Sequence, residues 1–147
     1  MSTEALNLRD FVRESNRIEG IHRDPTDGEI AAHADFLWLP VVSVPSIVKL
    51  VAILQPDARL RDSTSVPGVR VGDHIAPPSG PEIKFRLGEV LFMDDPWEQH
   101  VAYETLHPFT DGNGRSGRAL WLHRHRGQAP IGFLHQFYYQ TLARVGR

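Results

Sequence analysis

Residues 106–118, LHPFTDGNGRSGR, bring one histidine, one aspartate, a glycine-asparagine-glycine run and two arginines into a dozen positions. Such a mixture suits neither a packed core nor an ordinary loop. Gly112 and Gly114 have no side chain, so backbone N–H groups beside them can approach a phosphate closely. A helix expected to start at about Arg115 would aim its free N–H groups and positive dipole end at the same point. Arg115 and Arg118 are three residues apart and share a face of its first turns. Two cations at that end are unfavourable unless an anion joins them, and guanidinium forks match phosphate oxygens. Asn113 adds an amide donor. Asp111 would repel a phosphate unless a cation bridges the two, as magnesium does with one or two carboxylates and substrate phosphates. His107, just before the loop, is of the right type to accept a proton from an attacking hydroxyl.

Other readings account for less. DGNG is a strong turn sequence, but a hairpin needs alternating strands, and both flanks, WEQHVAYETLH and RALWLHRHR, read as helical. Gly112, Gly114 and Gly117 match the dinucleotide fingerprint, yet a helix and a proline precede them where a strand is required. No G-K-[S/T] phosphate loop occurs. His100, Glu104 and His107 fall on one helix face and could hold a metal, which leaves the arginines and the glycines unexplained.

HPFTDGNGRSGR resembles the Fic motif, H-x-F-x-[D/E]-G-N-G-R-x-x-R, at every specified position. LRDSTSVPGVRVGDHIAPP resembles that family's target-binding flap, and SNRIEG, residues 15–20, its inhibitory motif [S/T]-x-x-x-E-[G/N]. The resemblance implies an autoinhibited adenylyltransferase that moves AMP from ATP to a Ser, Thr or Tyr hydroxyl of a target protein. It implies His107 as the base and Asp111 as the Mg2+ ligand. Gly112, Asn113, Gly114 and Arg115 would cradle the phosphates, with Arg118 on the γ-phosphate. Ser15, Glu19 and Gly20 would be regulatory, with Glu19 competing for Arg118. The target would dock as an extended segment on the flap, and assembly into a homo-oligomer is left open. Removal of AMP, transfer of another phosphate-containing group, or a non-enzymatic nucleotide-binding module are the alternatives; the GNGR form argues against a kinase-like branch.

The elements that must position these residues read as mainly α, a Fic fold with a helical bundle core and a short β-hairpin flap. Periodicity, caps and prolines predict helices over 4–19, 26–39, 45–54, 81–93 and 96–106. Another should begin within 114–127 and stop near Gly127, and a last one fill 133–145. The flap, 61–78, is expected to turn at Pro67-Gly68. All of 1–147 is expected to be one domain, with helix 4–20 packed on it. In that first helix Leu8, Phe11, Val12, Ser15, Ile18 and Glu19 share a side, while Arg9, Arg13, Asn16 and Arg17 point elsewhere, and Gly20 stops it. Phe109 is expected to anchor the loop and His100 to pack beneath it. Trp38, Trp97, Trp121, Phe133, Phe137, Tyr138 and Tyr139 read as core or interface aromatics, and 123–126 as a solvated helix end.

The chain has 147 residues, enough for a real core. A net charge of -2 gives no bulk attraction to nucleic acid or anionic lipid, so neither is expected as a partner. With no cysteine, disulfides, thiolate metal sites and a cysteine nucleophile are excluded. No apolar run has membrane-spanning length and residues 1–10 lack a signal-peptide core, so a cytoplasmic location is the expectation.

Overall fold

The computed structural model describes residues 7–126. Six helices are present among them: α1 Leu8–Ile18, α2 Asp27–Leu37, α3 Val44–Leu54, α4 Pro81–Leu91, α5 Pro96–Leu106 and α6 Asn113–Arg124. Between α3 and α4 lies one small antiparallel sheet, β1 Arg70–Val71 with β2 His74–Ile75. The fold is mainly α with a β-hairpin flap. No helix among the described residues is long and apolar enough to cross a membrane. The expected helix over 133–145 and its aromatics lie outside the described residues.

The helices start where their local chemistry says they should. Thr26 and Glu29 form a reciprocal capping box at α2, and Ser43 and Ser46 do the same at α3. Asp95 accepts the Glu98 N–H at α5 (2.8 Å), and proline opens α3, α4 and α5. Helix α1 ends in a Schellman motif: the Gly20 N–H donates to the Arg17 carbonyl and the Ile21 N–H to the Asn16 carbonyl. Gly20 takes φ 81°, a left-handed conformation that suits glycine. Glu19 is thereby the cap residue, with its side chain at the helix end.

Two apolar clusters flank α6. The larger joins Phe36 of α2, Ile47 and Leu50 of α3, Leu87 of α4 and Tyr103 of α5 to Ala119 and Leu120. The smaller sets Phe11 and Val12 of α1 against Trp121 and Leu122. Fully burying Phe11 and Val12 contributes roughly 1.5–3 kcal/mol each, enough to hold α1 against α6. With neighbours on both sides, α6 is buried from Arg115 to Leu122, including Arg115 and Arg118.

Several expectations are corrected. The hairpin turns at Gly72-Asp73, where Gly72 supplies φ 57°, and Pro67-Gly68 lies before β1. Helix α6 begins at Asn113, two residues earlier than expected, because Gly112 at φ 80° can cap it. Asn16 is fully buried, since α2 covers that side of α1 as well. Trp38 is 86% exposed, because it caps α2 at the surface instead of entering the core. His123 and Arg124 are half-buried: the His123 ring bonds the Leu39 carbonyl and Arg124 the Met93 and Asp94 carbonyls.

Glu29 ties four elements together. Its carboxylate accepts from Arg23 (2.9 and 3.0 Å), from the Thr26 N–H (2.9 Å), from Asn16 (3.4 Å) and from Arg115 of α6 (3.2 Å). The Arg23 hydrogen bonds, helped by the Thr26 amide and by the charges of Arg23 and Arg115, outweigh burial and hold its pKa at about 2, below the ordinary 4.5. A lowered folded pKa means stability that is complete above about pH 4.5 and lost as pH falls toward 2. Glu29→Gln is expected to cost about 1–3 kcal/mol at neutral pH. Urea unfolding at pH 7, 4 and 2.5 should show the gap to wild type closing as the solution is acidified.

Candidate active site

The segment between α5 and α6 is held from three directions. Asn113 folds back on it: its Oδ1 accepts the Phe109 N–H (2.9 Å) and its Nδ2 donates to the Phe109 carbonyl (2.8 Å). Phe109, buried in the larger cluster, pairs as an isolated bridge with Leu60. On either side of that bridge the Arg61 N–H donates to the Pro108 carbonyl (2.8 Å) and the Thr110 N–H to the Arg59 carbonyl (2.9 Å). Underneath, Ser116 Oγ donates to the Gly112 carbonyl (2.7 Å) and meets the buried Tyr103 hydroxyl (2.7 Å). His100, as expected, packs below, its Nδ1 on the Gly117 carbonyl (3.1 Å).

His107 caps α5 in a left-handed conformation, φ 52°. Its Nδ1 lies 3.3 Å from the Glu104 carbonyl. A carbonyl only accepts, so in the neutral ring this contact puts the proton on Nδ1 and makes Nε2 the basic nitrogen. Asp111 is exposed, and its Oδ1 accepts the Gly112 N–H (2.8 Å). A carboxylate already oriented by a backbone amide at the mouth of a loop is a suitable ligand for a hard divalent cation.

The two arginines are placed differently. Arg118 is 1% exposed. Its Nε donates to Ser15 Oγ (2.8 Å), and its Nη2 to the Ser15 carbonyl (2.9 Å) and to Glu19 Oε2 (2.7 Å). The residues SNRIEG therefore reach the loop: Ser15 and Glu19, one turn apart, both end on Arg118. Arg115 faces the other way. Its guanidinium donates to the Leu54 carbonyl (2.7 Å), Gln55 Oε1 (2.9 Å), Glu29 (3.2 Å) and Asn16 Oδ1 (3.3 Å). In this arrangement Arg115 and the Asn113 amide are engaged by protein acceptors, while the Gly112–Gly114 backbone and Arg118 frame the amino end of α6.

Gly114 shows what fills that frame. A Cβ placed there would collide with the Glu19 carboxylate and lie 3.2 Å from Arg118 Nη1. A carboxylate thus occupies the space against the first turn of α6 where a positive dipole end and a guanidinium favour an anion. Sequence reading singled out His107, Asp111, Gly112, Asn113, Gly114, Arg115, Arg118, Ser15, Glu19 and Gly20. The structure joins Ser15, Glu19, Gly114 and Arg118 at the amino end of α6, sets His107, Asp111 and Gly112 in the segment before it, and gives Asn113 and Arg115 protein acceptors where a phosphate was expected. Sequence reading missed Asn16, Glu29 and Arg61: the Arg115 that Asn16 and Glu29 meet and the carbonyls that Arg61 meets lie far along the chain, and the one local signal was the T-x-x-E pattern, which could have marked Glu29. The crowding at Gly114 makes a testable case. Gly114→Ala should push the Glu19 carboxylate, the movable end of a half-exposed side chain, off Arg118 and destabilise the protein by no more than about 1 kcal/mol through the lost ion pair. In a Glu19→Gly background the same change should be neutral or slightly stabilising, as alanine is the better helix former. Thermal melts of the four proteins of this cycle decide it; equal costs in both backgrounds would mean that Glu19 does not fill the space.

No curated protein and no solved structure shows a significant match to the chain. The Fic/DOC family model matches residues 49–123, which spans α3 from its middle, the flap, α4, α5, the loop and α6 to His123. That is just over half of the 147 residues and contains the whole of HPFTDGNGRSGR. With this motif on the loop between α5 and α6, and the flap hairpin between α3 and α4, the chain belongs to the Fic/DOC family.

Proposed function

We propose that the protein is an autoinhibited adenylyltransferase, moving AMP from ATP to a hydroxyl of a target protein, with Glu19 as the restraint. The observation that carries the reading is the Glu19 carboxylate lodged over Gly114 on Arg118. An acid there marks an anion site, and its removal would leave Arg118 with a donor for a phosphate oxygen.

The reaction follows from the residues. The target hydroxyl loses its proton to His107 Nε2, whose partner nitrogen is occupied by the Glu104 carbonyl. The hydroxyl oxygen bonds to the α-phosphorus, and the bond from that phosphorus to its bridging oxygen breaks, releasing pyrophosphate. The N–H groups of the α6 amino end and the Arg118 guanidinium oppose the charge that grows on the leaving group. Magnesium, bound with the polyphosphate and held by Asp111, would neutralise part of the same charge. Asn113 and Arg115 act here by fixing the loop and the helix start. The flap strands offer backbone edges on which an extended target segment can add as a further strand.

With Glu19 in place, Arg118 and the space above Gly114 are unavailable to the terminal phosphate. A polyphosphate entering beside them has its α-phosphorus out of line, and small misplacements of a reacting centre cost on the order of a hundredfold in rate. Glu19→Gly is therefore expected to raise transfer by roughly ten- to a hundredfold, and His107→Ala to abolish it in that background. Incubation with ATP labelled at the α or γ position checks both. Label from the α position on protein supports AMP transfer. Label from γ alone, loss of AMP from a premodified target without transfer, or nucleotide binding without turnover would each replace this reading. An unchanged rate in Glu19→Gly at saturating ATP would overturn the inhibitory role.

A further inference from the structure

Arg61 is, with Arg118, one of two arginines fully buried among the described residues, and it has no exposed surface. Burial pulls its pKa below the ordinary value, the mark of a cation held at a cost. Yet none of the acceptors on its guanidinium is a carboxylate. Nε donates to the His107 carbonyl (2.8 Å) and Nη2 to the Leu106 carbonyl (2.8 Å). Nη1 donates to the Pro77 carbonyl (2.8 Å) and to Ser79 Oγ (3.1 Å). Its backbone joins the same places, through its N–H to Pro108 and its carbonyl to the Gly80 N–H (2.9 Å). A permanent charge buried with no carboxylate partner among the described residues is tolerated here because four acceptors and the negative end of α5 surround it.

The position of those acceptors gives the side chain a purpose. His107 caps the helix in a left-handed conformation, uncommon outside glycine though histidine adopts it more readily than most residues, and one that its partners must hold in place. The two carbonyls that Arg61 grips belong to His107 and to the residue before it. Gripping both fixes the peptide planes on each side of the histidine Cα, and so the direction of its side chain. The third and fourth contacts lie at the exit of the flap. One guanidinium thus registers the flap, on which a target segment would lie, against the imidazole that would take the target's proton.

We infer that Arg61 is a positioning residue, which holds His107 in the orientation for proton transfer and in register with the flap. The inference rests on the proposed role of His107 as base. A lysine in its place keeps the charge but cannot fork to two carbonyls.

The test compares Arg61→Lys and Arg61→Gln with the parent in a Glu19→Gly background, with folding checked by circular dichroism and melting. Assays run at least 15 °C below the lowest melting point. The expected result is a fall in kcat of tenfold or more, with the KM for ATP and the ATP affinity within twofold of the parent. A folded Arg61→Lys with kcat within twofold, or with ATP affinity lost in step with kcat, overturns the assignment. Should both variants unfold, Ser79→Ala loosens Arg61 from the flap side; a three- to tenfold fall in kcat at unchanged KM is expected, and an unchanged kcat overturns it. Should the parent transfer no AMP, the proposed reaction fails on its own, and imidazole NMR of wild type and Arg61→Lys decides the geometry. Shifted or broadened His107 signals, with those of His33 unmoved, support it; identical spectra refute it.

Discussion

A guanidinium cannot shed its charge, and α6 carries two of them into the middle of the protein. The arrangement around that helix is a set of answers to this constraint. Arg115 is met by the end of α3, by Glu29 of α2 and by Asn16 of α1. Arg118 is met by Ser15 and Glu19 of α1. Without those acceptors both cations would be stranded in apolar surroundings, and the helix that shapes the loop could not stay buried. The polar ties and the apolar ones run in parallel, since Phe11 and Val12 press the same α1 onto Trp121 and Leu122.

The loop before α6 obeys a second constraint: its backbone turns are secured by partners, some within the loop and some far along the chain. Asn113 closes on Phe109, Leu60 bridges Phe109, and Arg61 grips Leu106 and His107. A site built this way keeps its geometry before any ligand arrives, which is what acceleration by positioning and electrostatics demands.

What could be seen in the sequence follows from the range of the interactions. The helix starts at Thr26 and near Pro45, Pro81 and Pro96 were legible because a cap or a proline acts on its immediate neighbours, whereas the caps at Ser43 and Asp95 came only with the structure. Helix α5, bounded by Pro96 and Pro108, matches its expected limits. The motif residues were legible as a string of types whose spacing only a close approach of backbone to an anion explains. The hairpin turn was misplaced because Pro67-Gly68 is the stronger local signal, while the turn that forms depends on Gly72 in a pairing set by strand register. Asn16 and Arg61 were opaque for a simpler reason. Asn16 meets Arg115 ninety-nine positions away and Arg61 meets His107 forty-six away, and nothing in a local pattern announces such partners.

The three bonds to Arg118 are not equivalent, and the difference separates two kinds of release. Loss of the Glu19 carboxylate alone would leave Nε and Nη2 tethered to Ser15, with the helix still seated. Departure of α1 as a whole would strip all three acceptors, withdraw Asn16 from Arg115 and expose the face of α6 beneath Phe11 and Val12. The first event is a side-chain excursion of a half-exposed acid at a helix terminus. The second is a partial unfolding opposed by a buried hydrophobic seam. Two ties of unequal strength therefore hold the same cation, and the stability of one eleven-residue helix separates the loss of the weaker from the loss of both.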